Sequence, residues 1–142
     1  MPIEVRLLRS GDEAVLDTVA PEVFDDALDP AATAEFLRDP RHHLAVAVDD
    51  GVVVGFASAV TYLHPDKPRP ELWINEVGVA PTHHRRGIGR ALLAALLDAG
   101  RRARCSEAWV LADRSNTGAQ RFYASLGGER APEDAVMFTF TL

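Results

Sequence analysis

The order of apolar and amphipathic segments predicts an α/β (α+β) fold with a central mixed, largely antiparallel β-sheet flanked by helices. Residues 71–112 contain a strand, a helix and a strand, and this succession requires a right-handed parallel crossover. Residues 43–48 and 52–61 are apolar and β-branched, and Asp49-Asp50-Gly51 joins them. An Asp-Gly pair between two such segments indicates a hairpin, so the sheet must combine parallel and antiparallel pairs.

The N-terminal half supplies the remaining early elements. Residues 3–8 form a predicted first strand, and residues 71–79 form the central strand. A helix is expected from Gly11-Asp12 to about residue 19, with Asp12 as its cap, and a second over about 29–37 with Pro30 in its first turn. Residues 64–70 hold three prolines, which lack N–H donors, so this segment is predicted to be a loop.

The C-terminal half begins with a long amphipathic helix, predicted over about residues 85–103. Its apolar face comprises Ile88, Leu92, Ala95, Leu96 and Ala99. Gly100 interrupts the pattern, which makes it a candidate for the true helix end. A buried strand over 107–112, a helix over 117–126 ending at Gly127-Gly128, and an alternating last strand over 135–142 complete the prediction.

The length and amino-acid composition of the chain exclude several classes of protein. The 142 residues are enough for one domain. The single cysteine, Cys105, excludes an internal disulfide, and the five histidines lack the spacing of a zinc site, so no metal is expected. No apolar run has membrane-spanning length, and the N-terminus lacks a basic-then-apolar leader, which predicts a cytoplasmic protein without a membrane partner.

Charge is distributed unequally along the chain. Residues 1–80 hold fifteen Asp/Glu and six Lys/Arg, a net charge of −9, whereas residues 81–142 hold six Asp/Glu and nine Lys/Arg, a net charge of +3. The acidic half argues against nucleic acid as a partner. The division suits an anionic cofactor on the C-terminal half and a cationic acceptor facing the N-terminal half, although drift of surface charge gives the same pattern.

A glycine-rich basic turn follows the central strand. His84-Arg85-Arg86-Gly87-Ile88-Gly89 separates this strand from the long helix. Backbone N–H groups at a helix start are unpaired and attract anions, and glycines let a ligand approach the main chain. Asn75 and Glu76 lie just upstream, as polar residues in a strand that is expected to be buried. A group-transfer enzyme is the indicated class.

Several spaced motifs within residues 71–128 resemble the GNAT superfamily of N-acetyltransferases. They are Val77-Gly78-Val79, Pro81, Arg85-Arg86-Gly87-Ile88-Gly89-Arg90-Ala91-Leu92-Leu93, Asn116, and Phe122-Tyr123 followed by Gly127. The resemblance implies a single N-acetyltransferase domain over residues 1–142 that transfers an acetyl group from acetyl-CoA directly to a primary amine. It also implies a homodimer, because relatives often pair through sheet edges or C-terminal strands.

By the same resemblance, the turn holds the coenzyme A pyrophosphate and the central strand pairs with the pantetheine arm. The implied cofactor-binding residues are Val77, Gly78, Val79, His84, Arg85, Arg86, Gly87, Ile88, Gly89, Arg90 and Asn116. The family usually has Gln or Arg where His84 stands, so a main-chain contact is expected there. Asn116 is equally suited to capping the following helix.

Two residues are the catalytic candidates. A carboxylate within an apolar strand must be paired, solvated through a cleft or raised in pKa, and each condition suits Glu76 as the base that neutralises the amine; a structural hydrogen bond is the alternative. Tyr123 matches the tyrosine that protonates the departing thiolate in many relatives, with a packing role as the alternative. His83 and His84 are other possible bases, but their place in the turn favours surface residues.

The acceptor is the least determined feature. The nearest likeness within the superfamily is to aminoglycoside 3-N-acetyltransferase-like members, whose polycationic acceptors require carboxylates. The acids available as substrate ligands are Asp25, Asp26, Asp29, Glu133 and Asp134. A solvated acidic face explains each of them equally simply. Alternative functions are acetylation of a small polyamine, an amino-sugar or a protein N-terminus, and non-catalytic binding of acetyl-CoA as a sensor or partner subunit.

Overall fold

The computed structural model describes residues 2–132 and 134–142. The chain divides into two compact units, Met1–Leu111 and Ala112–Leu142, and each is treated by itself. Among the helices of the described residues, none combines the length and the apolar character needed to cross a bilayer.

The first unit is built on one five-stranded sheet. Its strands are β1 (Glu4–Leu8), β2 (His42–Asp49), β3 (Val52–Tyr62), β4 (Glu71–Val79) and β5 (Ala108–Val110), in the order β1-β2-β3-β4-β5. The first three pairings are antiparallel and β4 pairs with β5 in parallel, which confirms the predicted mixed, largely antiparallel sheet. The predicted hairpin is present, and Asp50 and Gly51 both have positive φ, as its tight turn requires.

Helices flank this sheet. Helix α1 (Pro30–Arg38) starts at Asp29, whose side chain accepts a hydrogen bond from the N–H of Ala32. Helix α2 (Ile88–Arg102) buries its apolar face against the sheet, and Leu92 and Leu96 are completely buried. Burial of a leucine side chain stabilises a fold by about 1.5–3 kcal/mol, so this face anchors α2 on the sheet.

Three predicted helix boundaries differ from the structure. The helix expected from Gly11-Asp12 is a short 3-10 helix, Glu13–Asp17. Helix α2 starts at Ile88 rather than near Arg85, because Arg85 and Gly87 adopt left-handed backbone conformations that cannot continue a helix. Gly100 does not end α2. It lies where a Cβ would be 3.0 Å from Cδ2 of Leu72, so its absent side chain lets α2 approach β4 closely.

Two strand predictions are corrected. The strand expected to be buried over 107–112 is only Ala108–Val110, and its residues are exposed or half-buried. It is an edge strand that pairs with β4 over Leu72–Ile74 alone. No strand forms over residues 135–142, where Val136, Phe138 and Phe140 are exposed. Alternation gives a segment only the tendency to be a strand, and a strand exists only when a neighbour completes its hydrogen-bond ladder.

Strand β4 carries a second acid besides Glu76. Glu71, at the start of the strand, is buried, and its Oε1 accepts a hydrogen bond of 3.1 Å from the hydroxyl of Tyr62. That hydroxyl accepts a bond of 2.7 Å from the indole N–H of Trp109. This chain of bonds ties β3, β4 and β5 together at the end of β4 remote from Glu76, so Glu71 has a structural role.

The second unit contains helix α3 (Thr117–Ser125). Asn116 is its N-cap, since its side chain accepts a hydrogen bond of 3.0 Å from the N–H of Ala119. The helix is followed by Gly127 at φ 92°, a left-handed position that commonly ends helices. The capping role of Asn116 and the glycine end of the helix are therefore confirmed.

Candidate active site

A β-bulge at Asn75 shapes the central strand. Ser58 of β3 pairs with Glu76, but the next residue, Ala59, pairs with Ile74, so Asn75 is an extra residue. A bulge bends the strand and disturbs the alternation of its side chains. Ile74 is buried, whereas both Asn75 and Glu76 are exposed. The expectation that these two polar residues are buried is wrong, and the condition that Glu76 meets is solvation through a cleft.

The bulge also opens one edge of β4. The parallel pairing with β5 stops at Ile74, whereas pairing with β3 continues to Val79. Within the described sheet, residues 75–79 therefore have a strand on one side only. The other edge offers main-chain donors and acceptors to an extended ligand, which is the geometry of strand addition. Val77, Gly78 and Val79 lie in this open segment.

The turn before α2 forms a second open feature. Gly87 occupies the N-cap position with φ 76° and ψ 10°, and in the described structure no side chain caps the helix. The N–H groups in the first turn of a helix have no acceptor within the helix itself, which suits them to binding an anion. Arg85, Arg86 and Arg90 are exposed around them, while Ile88 is buried. The helix dipole, the N–H groups of the first turn and the arginines together make this turn a candidate anion site.

The two adjacent histidines hold the turn in place. Nε2 of His84 donates a hydrogen bond of 2.9 Å to the carbonyl oxygen of Val79 at the end of β4. Nε2 of His83 lies 2.8 Å from Oδ2 of Asp49, and its Nδ1 lies 2.8 Å from the hydroxyl of Thr82. The hydrogen bond with His83 holds the pKa of Asp49 below its usual value. These contacts of the two histidine rings hold the turn in place, and Glu76 therefore stays our candidate for the base.

Glu76 faces a cavity of about 500 Å³, here called the bulge cavity. Its lining residues are Glu22, Val23, Asp25, Phe56, Asn75, Glu76, Val77, Gly78, Val79 and His84. Three of them are carboxylates, and none is Lys or Arg. The carboxylates come from β4 and from the segment that precedes α1, so residues distant in sequence form one acidic pocket. A cationic group would be attracted to it.

Gly78 allows one wall of the bulge cavity to approach the strand. A Cβ at this position would overlap the carbonyl oxygen of Val23 and would lie 2.9 Å from Cε1 of Phe56. The ring of Phe56 in turn stacks on Phe24, with centroids 4.0 Å apart. Gly78 is part of the open main-chain edge of β4. Its missing side chain also leaves room for the segment around Val23.

Gly78→Ala is expected to displace this wall. The added methyl meets backbone and ring atoms that cannot both move freely, so we expect a loss of about 1–3 kcal/mol in the free energy of unfolding. The KM for the amine substrate should also rise, because the displaced residues line the cavity that Glu76 faces. Thermal unfolding and steady-state kinetics check both effects. Gly118→Ala is the control, since its Cβ would meet only Oδ1 of Asn116, at 3.7 Å. An unchanged melting temperature and KM in Gly78→Ala would contradict this account.

A second cavity of about 670 Å³ is here called the side cavity. Asp25 lines both this cavity and the bulge cavity. Asp26 lines the side cavity together with Glu13, Asp17 and several apolar residues. Two of the other candidate acids have structural partners: Asp29 caps α1 and Asp134 pairs with Arg114. Glu133 lies outside the described residues. The described residues contain no group of three or more His, Cys, Asp or Glu placed to hold a metal ion.

Tyr123 belongs to α3 in the second unit. Its side chain is half-buried beside Phe122, with ring centroids 5.4 Å apart. Burial raises the pKa of the Tyr123 phenol above its usual value, so the group retains its proton at neutral pH. A protonated phenol is able to act as an acid.

Sequence reasoning missed Glu22 and Phe56 as cavity residues. Glu22 precedes Phe24-Asp25-Asp26, but nothing in its sequence neighbourhood distinguishes it from a solvated acid. Phe56 lies in a mostly apolar strand, where a phenylalanine is expected to belong to the core. One signal existed in retrospect: Pro21-Glu22 follows an apolar segment and indicates a turn.

Comparison with known proteins gives the family. Residues 12–127 match the Acetyltransferase (GNAT) family. The chain belongs to this family. It is 31% identical over 131 residues to the N-alpha-acetyltransferase RimI of Mycobacterium tuberculosis, covering 91% of this chain and 80% of that protein. It is also 32% identical over 92 residues to an aminoglycoside N(6')-acetyltransferase type 1 of Salmonella typhimurium, covering 61% of this chain and 63% of that protein.

A solved structure agrees with the fold. AAC(6')-Iy in complex with the bisubstrate analog CoA-S-monomethyl-acetylneamine has a TM-score of 0.78 and 22% identity, and the match covers 100% of both chains. The chain is therefore a GNAT N-acetyltransferase with acetyl-CoA as its co-substrate, and it transfers acetyl groups to amines. The aminoglycoside relative is named for the 6' position, not for the 3 position of the subgroup that the sequence resembled.

Proposed function

We propose that this GNAT enzyme acetylates a primary amine of a polycationic small molecule, such as an aminoglycoside, by direct transfer in a ternary complex. The observation that carries the proposal is the bulge cavity, whose lining includes the carboxylates of Glu22, Asp25 and Glu76 but no Lys or Arg. Such a pocket concentrates positive charge beside the opened edge of β4. The acidic N-terminal half of the chain adds a long-range field of the same sign.

The lining of the cavity favours direct transfer. None of the residues that line it is Cys, Ser or Lys, so it offers no thiol, serine hydroxyl or lysine amine to form a covalent acetyl-enzyme. The nitrogen of the amine forms a bond to the acetyl carbonyl carbon, and the carbon–sulfur bond breaks. Glu76 takes the proton that the amine loses, directly or through water, and Tyr123 gives its phenolic proton to the departing thiolate.

The two open features of the first unit are suited to holding the donor. The turn at Arg85, Arg86 and Gly87 presents N–H groups and positive charge to a pyrophosphate, with Ile88, Gly89 and Arg90 continuing it into α2. The free edge at Val77–Val79 suits an amide-bearing pantetheine arm, and the N–H of Val79 is our candidate for polarising the thioester carbonyl. His84 acts by fixing the turn to Val79, and Asn116 is a candidate for binding coenzyme A from the family resemblance.

A protein N-terminus is the second candidate acceptor. The N-alpha-acetyltransferase RimI is 31% identical over most of this chain, and an α-amino group also needs a base beside the donor. The two acceptors differ in charge, since a short peptide need carry only one ammonium group. Preference for polycations over peptides therefore separates them. Homodimerisation and a cytoplasmic location remain predictions, and light scattering and fractionation would test them.

The decisive experiment measures free thiol released from acetyl-CoA with aminoglycosides, polyamines, amino-sugars and short peptides as acceptors. We expect aminoglycosides and polyamines to have the highest kcat/KM, and intersecting initial-velocity lines to indicate a ternary complex. Highest activity with peptides would favour N-terminal acetylation instead. Parallel lines would contradict direct transfer.

A further inference from the structure

Glu22 has a backbone conformation that glutamate rarely adopts. Its φ is 65°, in the left-handed region where the Cβ of an L-residue is crowded by its own backbone. Glycine adopts this conformation without such crowding, and Asn and Asp tolerate it better than Glu does. The side chain of Glu22 is exposed and lines the bulge cavity with Glu76.

The neighbours of Glu22 are fixed on both sides. Before it, the N–H of Ala20 donates a hydrogen bond of 2.9 Å to the carbonyl oxygen of Val53 in β3. After it, Val23 is buried with its carbonyl oxygen against Gly78, and Phe24 stacks on Phe56. The chain must therefore reverse between residues 20 and 23, and the tight turn falls on Glu22.

We propose that Glu22 is a specificity-determining residue that selects acceptors with a second cationic group near the reacting amine. This inference rests on the function proposed above. The reacting nitrogen must lose its proton to Glu76, so a further carboxylate has no use at that nitrogen. It is useful to a second ammonium group, which keeps its charge and is held by Glu22 while the first reacts. Strain persists where the surrounding structure enforces it, and here it places a carboxylate in the cavity wall.

The charge of Glu22 acts together with that of Asp25, and the other titratable groups that line the cavity are Glu76 and His84. Because the cavity is open to water, the attraction is partly screened. Removing one of the carboxylates should therefore weaken the binding of a multiply charged amine by about 3- to 10-fold rather than abolish it. A monoamine has no second charge to lose, so its binding should be nearly unchanged.

The test is calorimetric titration of spermidine and of butylamine into CoA-saturated protein, for the wild type, Glu22→Gln and Glu35→Gln. Glu35 is an exposed acid of α1 outside both cavities, which makes it the matched control. We expect Glu22→Gln to weaken spermidine binding about 3- to 10-fold and butylamine binding less than 2-fold, and Glu35→Gln to change neither. Equal losses for both amines, or no loss, would overturn the inference.

A second variant guards against misfolding. Glu22→Gly removes the same carboxylate and relieves the left-handed strain, so its melting temperature should be equal to or above that of the wild type. It should show the same selective loss of spermidine binding. Undiminished spermidine binding in a folded Glu22→Gly protein would overturn the inference. Wild-type protein that binds neither amine would refute the polycationic acceptor itself, which is a different outcome.

Discussion

Replacing Glu76 by glutamine is expected to lower kcat by about 10²- to 10⁴-fold near neutral pH. A primary amine has a pKa of about 10, so only about one molecule in a thousand is neutral at pH 7 and the enzyme must remove a proton. Glutamine has nearly the shape of glutamate but cannot accept that proton. Glu76 lines the acceptor cavity, so the KM for acetyl-CoA should change little.

The pH dependence distinguishes a base from a structural residue. As the pH rises, more of the amine loses its proton in solution, so the gap between wild type and Glu76→Gln should narrow. Loss of a structural hydrogen bond would instead lower the melting temperature and reduce the rate equally at every pH. Steady-state rates from pH 6 to about pH 10, with thermal unfolding and Glu35→Gln as the control, make the comparison. A full rate at every pH would mean that another group, or water, serves as base.

Much of the fold could be predicted because its signals are local. The Asp50-Gly51 turn requires positive φ at adjacent residues, and the flanking strands are apolar and β-branched. The bounds of β4, Glu71–Val79, agree with the prediction because prolines precede it and Pro81 follows it. Helix α1 was located by Asp29 and Pro30, an N-cap and a first-turn proline. Each of these elements depends on residues within a few positions of one another.

The features that shape the candidate site depend instead on distant contacts. The bulge at Asn75 arises from the register between β4 and β3, which side chains on different strands determine together. The apolar character of the strand therefore predicted burial for Asn75 and Glu76, although both are exposed. The position of Glu22 depends on contacts with Val53 and Gly78, more than thirty residues away. Glu76 could still be chosen as a candidate from the sequence, because it is a carboxylate directly before Val77-Gly78-Val79 of the family motif.

The same distinction explains the elements that were wrong. Gly100 resembles a helix end in sequence, but its function is to admit Leu72 of β4, which periodicity within α2 does not reveal. Residues 135–142 have the alternation of a strand, yet no ladder forms there. The helix was predicted to begin at about Arg85, but the left-handed backbone of Arg85 places this residue in the turn. A sequence pattern predicts only the tendency of a segment to form a helix or a strand, and contacts with other segments decide whether that element forms.

Tyr123→Phe is expected to reduce kcat by about 10²-fold if the phenol donates the proton to the departing thiolate. Burial raises the pKa of Tyr123, so the hydroxyl keeps its proton at neutral pH and the proton is available to the sulfur as the carbon–sulfur bond breaks. Phenylalanine keeps the ring beside Phe122 and removes only the proton donor. The KM for acetyl-CoA and the melting temperature should therefore change little.

The leaving group provides the sharper test, because a more acidic thiol departs without help. With an acetyl thioester of an aromatic thiol, the defect of Tyr123→Phe should shrink well below its value with acetyl-CoA. Tyr62→Phe is the matched control, since the Tyr62 hydroxyl forms hydrogen bonds with Glu71 and Trp109 at the end of β4 that is remote from Glu76. Its loss should lower the melting temperature and leave the leaving-group dependence unchanged. A Tyr123→Phe protein with normal turnover would reduce Tyr123 to a packing residue, whereas a defect of constant size across donors would mean that the hydroxyl positions substrate without transferring a proton.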